Sequence, residues 1–179
     1  FDDVERSKPE YKRAFDNSGK ILFGFSSISQ DFSKEIMLNN YLDEDLSIGG
    51  WGTAILGKVF PIGHRGEGLY YLAAQGEKSI MYGNNLYLFG QLTGASGFAN
   101  SNGYYTYQEF MGLSFLRITQ NILLAARVRQ QSVWNWSLMR QLILDNETGL
   151  RGYPANSFSG DNRMFANVEL RAFPNIPFW

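Results

Sequence analysis

The feature that most constrains this chain is a two-residue alternation of apolar side chains with polar or small ones. The alternation recurs over roughly ten residues at a time, between clusters of Gly, Asn, Asp and Ser. It is sharpest in residues 121–131, where Ile122, Leu124 and Val128 alternate with Arg127. A helix would repeat its apolar residues every three or four positions, so the pattern predicts β-strands.

Seven such strands are predicted. They cover residues 20 to about 29, 46–60, 67–76, 85–97, 104–118, 121–131 and 163–173. The alternation is least clean in 67–76, and residues 31–40 fit either an extension of the first strand or a short helix. Residues 119–120 predict a tight turn and residues 42–46 a short acidic connection.

Composition narrows the fold class. Hydrophobic residues make up 44% of the chain, aromatic residues 16% and charged residues only 18%. No run approaches the ~18 apolar residues of a membrane helix, so a chain of this kind spans a membrane only as a closed barrel. We predict an antiparallel transmembrane β-barrel: residues 1–179 form one partial barrel domain, and residues 1–19 form a polar loop or a preceding strand. A soluble β-sandwich is the alternative.

Several classes of function are disfavoured by composition. The net charge of −1 gives no electrostatic reason to expect nucleic-acid binding. The absence of Cys excludes thiolate chemistry, and a lone histidine, His64, cannot form a histidine zinc cluster. No Gly-x-Ser-x-Gly elbow is present. We therefore expect no catalytic residue, metal or cofactor, and we interpret His64 as a loop residue. The acidic residues Asp43-Glu44-Asp45 lack the spacing of a calcium loop and predict a solvated turn.

The connection at 132–162 is about thirty residues long, far beyond the usual length. Outer-membrane barrels have short periplasmic turns and longer outer loops, so residues 119–120 are assigned to the periplasmic side and 132–162 to the outer side. Trp134 and Trp136, at the start of this connection, fit either an interfacial aromatic girdle or a packed loop base. A loop of this length in a compact domain is usually functional.

The centre of this connection reads Gly149-Leu150-Arg151-Gly152-Tyr153-Pro154. Together with Leu144–Thr148 before it, and Phe158, Gly160 and 167–171 after it, this segment resembles the bacterial surface antigen barrels. These are the BamA/TamA-type outer-membrane assembly and translocation factors. Their barrels have sixteen strands, within the even-numbered bacterial range, and carry an aliphatic-Arg-Gly-aromatic motif on a loop folded into the barrel. The resemblance implies that 132–162 is that in-folded loop and that Glu169 is its acidic partner.

The residues also make physical sense without the resemblance. Gly149 and Gly152 allow backbone conformations that other residues resist, and a guanidinium such as that of Arg151 binds a carboxylate through paired hydrogen bonds. Strand parity puts Glu169 opposite an apolar face made of Met164, Ala166, Val168 and Leu170. We expect an Arg151–Glu169 pair, with Tyr153 and Pro154 stiffening the tip and packing it against the barrel. An ordinary surface turn is the alternative.

Three arginines, Arg127, Arg129 and Arg171, form either a basic patch in the lumen or a simply hydrated interior. Members of the family continue into a strand with an Asp-Gly motif, which this sequence lacks. We therefore expect a piece of a longer protein. The alternative is that Phe178-Trp179 is a terminal barrel signal, although Pro174 and Pro177 disfavour a paired strand there. Residues 44–49 also resemble a turn of the family, more weakly.

The resemblance implies a non-enzymatic factor that inserts or translocates proteins at the outer membrane of a Gram-negative bacterium or an organelle derived from one. Its expected partners are the lipid bilayer, unfolded outer-membrane or secreted proteins, and accessory subunits. Two alternatives stay open. The barrel could carry an attached enzyme such as a patatin-like lipase, or it could be a dedicated secretion pore.

Overall fold

The computed structural model describes residues 18–35, 44–62, 68–99, 102–135, 142–145, 148–150 and 152–174. Nine strands are formed by these residues: β1 (Ser18–Glu35), β2 (Glu44–Pro61), β3 (Leu69–Tyr82), β4 (Leu86–Ala99), β5 (Asn102–Thr119), β6 (Ile122–Trp134), β7 (Leu142–Leu144), β8 (Phe158–Gly160) and β9 (Asn162–Ala172). Seven form one antiparallel sheet in the order β1-β2-β3-β4-β5-β6-β9, and β7 pairs with β8. The predicted all-β fold with seven antiparallel strands in one sheet is confirmed.

The strands extend further than the alternation predicts. β1 continues through residue 35, so the described part of 31–40 is strand rather than helix. The acidic connection predicted at 42–46 is wrong from Glu44 onward, because Glu44 and Asp45 pair with β1 and thereby satisfy their backbone groups. Asp43 lies outside the described residues. Ser18 and Gly19 belong to β1, so a polar segment reaching residue 19 is wrong at that end.

The register divides the sheet into two faces, because directly paired residues project to the same side. One face carries Glu109, which is paired with Gln131, and Gln131 is in turn paired with Arg163. We call it the loop-covered face. The opposite face carries Leu92, which is paired with Phe110, and we call it the open face.

The open face is exposed and mainly apolar, although it also carries the exposed side chains of Lys58 and Lys78. Val168 is 70% exposed and Leu170 67%, both on β9. The other large exposed apolar side chains of this face are Ile21, Phe23, Phe25, Leu56, Phe60, Tyr70, Leu72, Tyr82, Leu92, Phe98, Phe110, Trp134 and Met164. They come from all seven strands of the sheet, so the surface is continuous across it. The edge strand β1 also exposes apolar side chains on its other face, among them Leu22 and Ile28.

The buried core lies on the loop-covered face. Its members are Leu46, Tyr87, Phe115, Leu123 and Ala125. Leu46 precedes Gly49, whose φ of 121° lies in a region that favours glycine. A Cβ on Gly49 would stand 2.1 Å from the backbone oxygen of Ser29, so no larger residue fits there. This local change of direction brings the start of β2 over the side chains of β4, β5 and β6.

The turns and the long loop complete the fold. β5 and β6 are joined through residues 120–121, one position later than predicted. β6 continues to Trp134 and β9 begins at Asn162, so residues 135–161 form what we call the long loop. It is not structureless, since it contains β7 and β8. The amide of Val133 donates to the carbonyl oxygen of Asp161 at 2.8 Å, which holds the two ends of the loop together.

Candidate functional site

The long loop turns back over the sheet and is attached to it at Arg163 of β9. The Arg163 guanidinium donates through Nη1 to the carbonyl oxygen of Ile143 and through Nε to Oε1 of Gln131. One side chain therefore joins the loop strand β7 to β6 and β9. Arginine suits this role because its planar guanidinium directs donors to two acceptors at once.

Asp145, which follows β7, organises the next turn of the loop. It is only 4% exposed. Its backbone oxygen accepts the amides of Gly149 at 3.1 Å and Leu150 at 2.8 Å. Its carboxylate accepts the amide of Thr148 at 3.0 Å and that of Asn156 at 2.9 Å. A buried carboxylate with several donors is well satisfied, so Asp145 fixes this turn internally.

Gly149 places the turn against the sheet. Its φ is 130°, and a Cβ there would lie 2.8 Å from the ring of Phe165 on β9. The backbone therefore packs directly on that ring, which is 7% exposed. Gly152 has a φ of 89°, but nothing lies within 4 Å of its Cβ position. The two glycines of the motif thus differ: Gly149 permits a close contact with the Phe165 ring, whereas the Cβ position of Gly152 is open.

The tip of the loop packs on the loop itself. The ring centroids of Tyr153 and Phe158 are 5.5 Å apart, and the hydroxyl of Ser157 donates to the carbonyl oxygen of Pro154 at 2.5 Å. Tyr153 is 46% exposed. The loop strand β8 supplies the aromatic partner of Tyr153, and the packing of Tyr153 and Pro154 against the barrel stays a prediction.

Glu169 lies on the loop-covered face, as its parity predicts. Its carboxylate accepts from Nη2 of Arg171 at 2.9 Å. Both residues line a cavity of about 480 Å³, which Thr148 and Gly149 of the long loop also line. Arg151 lies outside the described residues, so the Arg151–Glu169 pair stays a prediction.

The three predicted arginines share the loop-covered face and line that same cavity. Their surroundings differ. Arg129 donates to Glu109 at 2.7 Å, Arg171 pairs with Glu169, and the guanidinium carbon of Arg127 lies 5.6 Å from the centre of the Phe165 ring. Two of the three charges are compensated by carboxylates, and the third stacks on an aromatic ring.

Sequence reasoning missed a polar network centred on Glu109 of β5. Nε2 of Gln131 donates to the Glu109 carboxylate at 2.7 Å and to the Tyr107 hydroxyl at 2.7 Å, and Tyr107 itself donates to Glu109. With Arg129 and Arg163, these residues form what we call the Glu109 network. Glu109 is 8% exposed and Gln131 4%. Gln131 and Arg163 fall on the polar side of their strands. Glu109 instead shares its face of β5 with Met111, Leu113 and Phe115, so the alternation of that strand does not reveal the network.

The other residues singled out in the sequence add little to this site. His64 and Trp136 lie outside the described residues. Trp134 is 43% exposed and lies on the open face. Among the described residues, no group of three or more His, Asp or Glu side chains is arranged to hold a metal ion. No helix among the described residues is long and apolar enough to cross a membrane.

Comparison of the chain with protein-family models, with curated proteins and with solved structures finds no match.

Proposed function

We propose that this sheet is part of a transmembrane β-barrel of the outer membrane, with its open face in lipid and its loop-covered face toward the interior. The observation that supports it is the asymmetry of the two faces. An exposed apolar surface extends across seven strands, far larger than the scattered apolar side chains of a soluble surface. The opposite face carries the Glu109 network beneath the chain's own loop. Barrel strands alternate apolar outward and polar inward in this way.

The position of the apolar stretch along the strands supports the same proposal. In β1 it is centred on Phe23, which pairs with Leu56 in β2 and through it with Leu72 in β3. Continued across β4 and β5, this row of paired residues reaches the end of β6 near Trp134. The apolar stretch of β6 itself, however, runs over Ile122–Val128. It is displaced toward the opposite end of the strand.

This displacement corresponds to a strand tilt. It amounts to roughly nine residues, or about 30 Å at about 3.3 Å per residue, over five strand spacings of about 4.8 Å each. An apolar band level with the bilayer would then require strands inclined by roughly 50°. Strands of membrane barrels are tilted by about 35–45°, so the slant has close to the expected size.

Single-cysteine variants test the membrane assignment, because the chain contains no cysteine of its own. Val168→Cys puts a spin label on the open face, and its neighbour Asn167→Cys puts one on the loop-covered face. In vesicles we expect dissolved oxygen to relax the label at 168 and a water-soluble nickel complex to relax the label at 167. Water access at 168 would refute lipid contact, and exclusion of both reagents there would indicate a β-sandwich.

Within this barrel we propose a non-enzymatic role in inserting or translocating unfolded outer-membrane or secreted proteins. A substrate strand would pair with a sheet edge through backbone hydrogen bonds, while the long loop maintains the interior. The resemblance of residues 144–173 to the surface antigen barrels supports this role. The position of Glu169 supports this role as well. Glu169 lines the same cavity as Gly149, and Gly149 lies two residues before Arg151 in the chain. Substrate folding and lipid burial would supply the free energy.

The role of the loop is tested by Arg151→Ala and Glu169→Gln in the full-length protein. We expect both to reduce assembly of a reporter outer-membrane protein. The matched control is Glu77→Gln, which changes a carboxylate of the same face that accepts a hydrogen bond from Nε2 of Gln91 on β4. Normal assembly with Arg151→Ala would exclude this role for the loop. Loss of export of a single partner, with general assembly intact, would indicate a dedicated secretion pore instead.

A further inference from the structure

We propose that Arg163 is a positioning residue that fixes the root of the long loop on the sheet, and that Glu109 controls it through Gln131. The consequence for protein assembly rests on the function proposed above. The fixing of the loop does not, because it follows from contacts within the chain.

Arg163 binds the long loop immediately before the turn that Asp145 organises. It binds the carbonyl oxygen of Ile143, two residues before Asp145, where the internally bonded turn begins. That turn carries Gly149 to the ring of Phe165. Because the turn is held together by Asp145, its position on the sheet follows the position of Ile143. Losing the Arg163 contact would leave the turn held on the sheet by the packing of Gly149 on Phe165, so the turn would loosen as a unit.

Gln131 transmits the orientation from Glu109 to Arg163. Its amide lies between a carboxylate, which only accepts hydrogen bonds, and a guanidinium, which only donates them. The NH2 group must therefore face Glu109, and the oxygen must face Arg163, as the structure has them. Arg129 in turn holds Glu109 at 2.7 Å. The amide thus has one satisfied orientation.

Glu109→Gln should disturb this arrangement even though Glu109 does not contact the loop in any hydrogen bond the structure gives. A glutamine at 109 keeps only one acceptor oxygen, and with that oxygen on Arg129 its NH2 group faces Gln131. The Gln131 amide can accept from this NH2 group only by turning its own NH2 group toward Arg163. Two sets of donors would then face each other. The Arg163 side chain would lose an acceptor at Gln131, and its hold on Ile143 would weaken.

The experiment measures the position of the loop directly, in the whole protein in vesicles. Spin labels at Ser159→Cys on β8 and Lys78→Cys on β3 report the distance between the loop and the sheet. The test variants are Arg163→Ala, Arg163→Lys and Glu109→Gln. The control is Met164→Ala, the adjacent residue on the open face. Migration on a gel before and after heating shows whether each variant is folded.

We expect one narrow distance distribution in the wild type and in the control. In Arg163→Ala and Glu109→Gln, the undocked population should rise about tenfold or more, the ratio that loss of one charge-assisted hydrogen bond supports. Arg163→Lys keeps the charge but has one donor nitrogen instead of a fork, so it should restore docking only in part. Full restoration by lysine would show that charge alone positions the loop and would overturn the proposal.

Unchanged distances in Glu109→Gln would overturn the control by Glu109, and unchanged distances in the Arg163 variants would overturn the positioning role. If Arg163→Ala does not fold, Arg163→Lys and Glu109→Gln still decide. Assembly of a reporter protein is measured separately in the same vesicles. Released labels with normal assembly would refute the proposed function of the loop while the positioning role stands.

Discussion

At the scale of single residues, the candidate site depends on backbone positions as much as on charged side chains. Gly149 and Gly152 both have positive φ values, but a Cβ would meet the ring of Phe165 at Gly149 and open space at Gly152. Asp145 accepts hydrogen bonds from the amides of the turn. The turn that presents the Arg-Gly-Tyr segment is therefore built by residues outside the segment.

Gly149→Ala and Gly152→Ala form a matched pair. Both should strain the backbone, at a cost of about 1–3 kcal/mol each. Gly149→Ala should in addition separate the turn from Phe165, because its Cβ would stand 2.8 Å from the ring. We expect proteolysis of the loop to be clearly faster in Gly149→Ala than in Gly152→Ala. Equal rates would mean that the contact with Phe165 does not hold the turn.

Asp145→Asn replaces a carboxylate oxygen with an NH2 group. One of the amides of Thr148 and Asn156 then loses its acceptor in a buried place, which costs about 1–3 kcal/mol. Hydrogen exchange at residues 148–156 should therefore accelerate by about tenfold or more. Exchange in β6 should stay as slow as in the wild type, and acceleration there would point to general destabilisation instead.

At the scale of elements, β9 combines the two faces in their simplest form. Val168 and Leu170 are exposed on the open face, while Phe165 and Glu169 face the long loop. The same alternation was readable in the sequence, because a strand's side chains change sides at every residue. A single strand therefore offers adjacent positions with opposite expected surroundings.

Val168→Arg and Asn167→Arg exploit this contrast. On the lipid-facing side of a membrane barrel, arginine costs about 2–4 kcal/mol near the middle of the bilayer, whereas interior positions tolerate it. We expect Val168→Arg to lower the free energy of unfolding from vesicles by about that amount, and Asn167→Arg to change it much less. Urea titration followed by tryptophan fluorescence measures both. Similar losses in the two variants would contradict the assignment of the faces.

The strands were predictable, whereas the contacts between them were not. The alternation in residues 121–131 and 163–173 involves neighbouring residues only, so it can be recognised from the sequence alone. The Glu109 network depends on register, which brings Glu109, Gln131 and Arg163 side by side from positions far apart in the chain. The place of Leu46 in the core depends on a backbone change at Gly49. Neither the strand register nor a single backbone angle can be predicted from a local sequence pattern.

At the scale of the whole molecule, the slant of the apolar stretch supports the proposed tilt of the strands in a bilayer. A flat apolar surface in a soluble sandwich has no reason to shift steadily from strand to strand. A level membrane band on tilted strands must do so. The tilt of the strands can therefore be inferred from the whole sheet but not from any single strand.

This slant predicts a measurable orientation. In oriented bilayers, polarised infrared spectra of the amide I band should give an average strand tilt of roughly 40–50° from the membrane normal. Strands close to the normal would contradict the lipid-facing assignment of the open face. Strands lying flat on the bilayer would indicate surface adsorption.

Asp145 has one further consequence, which concerns the energetics of the loop's motion. A turn whose amides are already bonded to one buried carboxylate loses little conformational entropy when it docks. The turn therefore stays ordered in both the docked and the undocked form, and a polypeptide that bound the undocked form more tightly would shift the populations by its difference in affinity for the two forms. Pre-organisation of this kind makes the loop responsive without making it disordered.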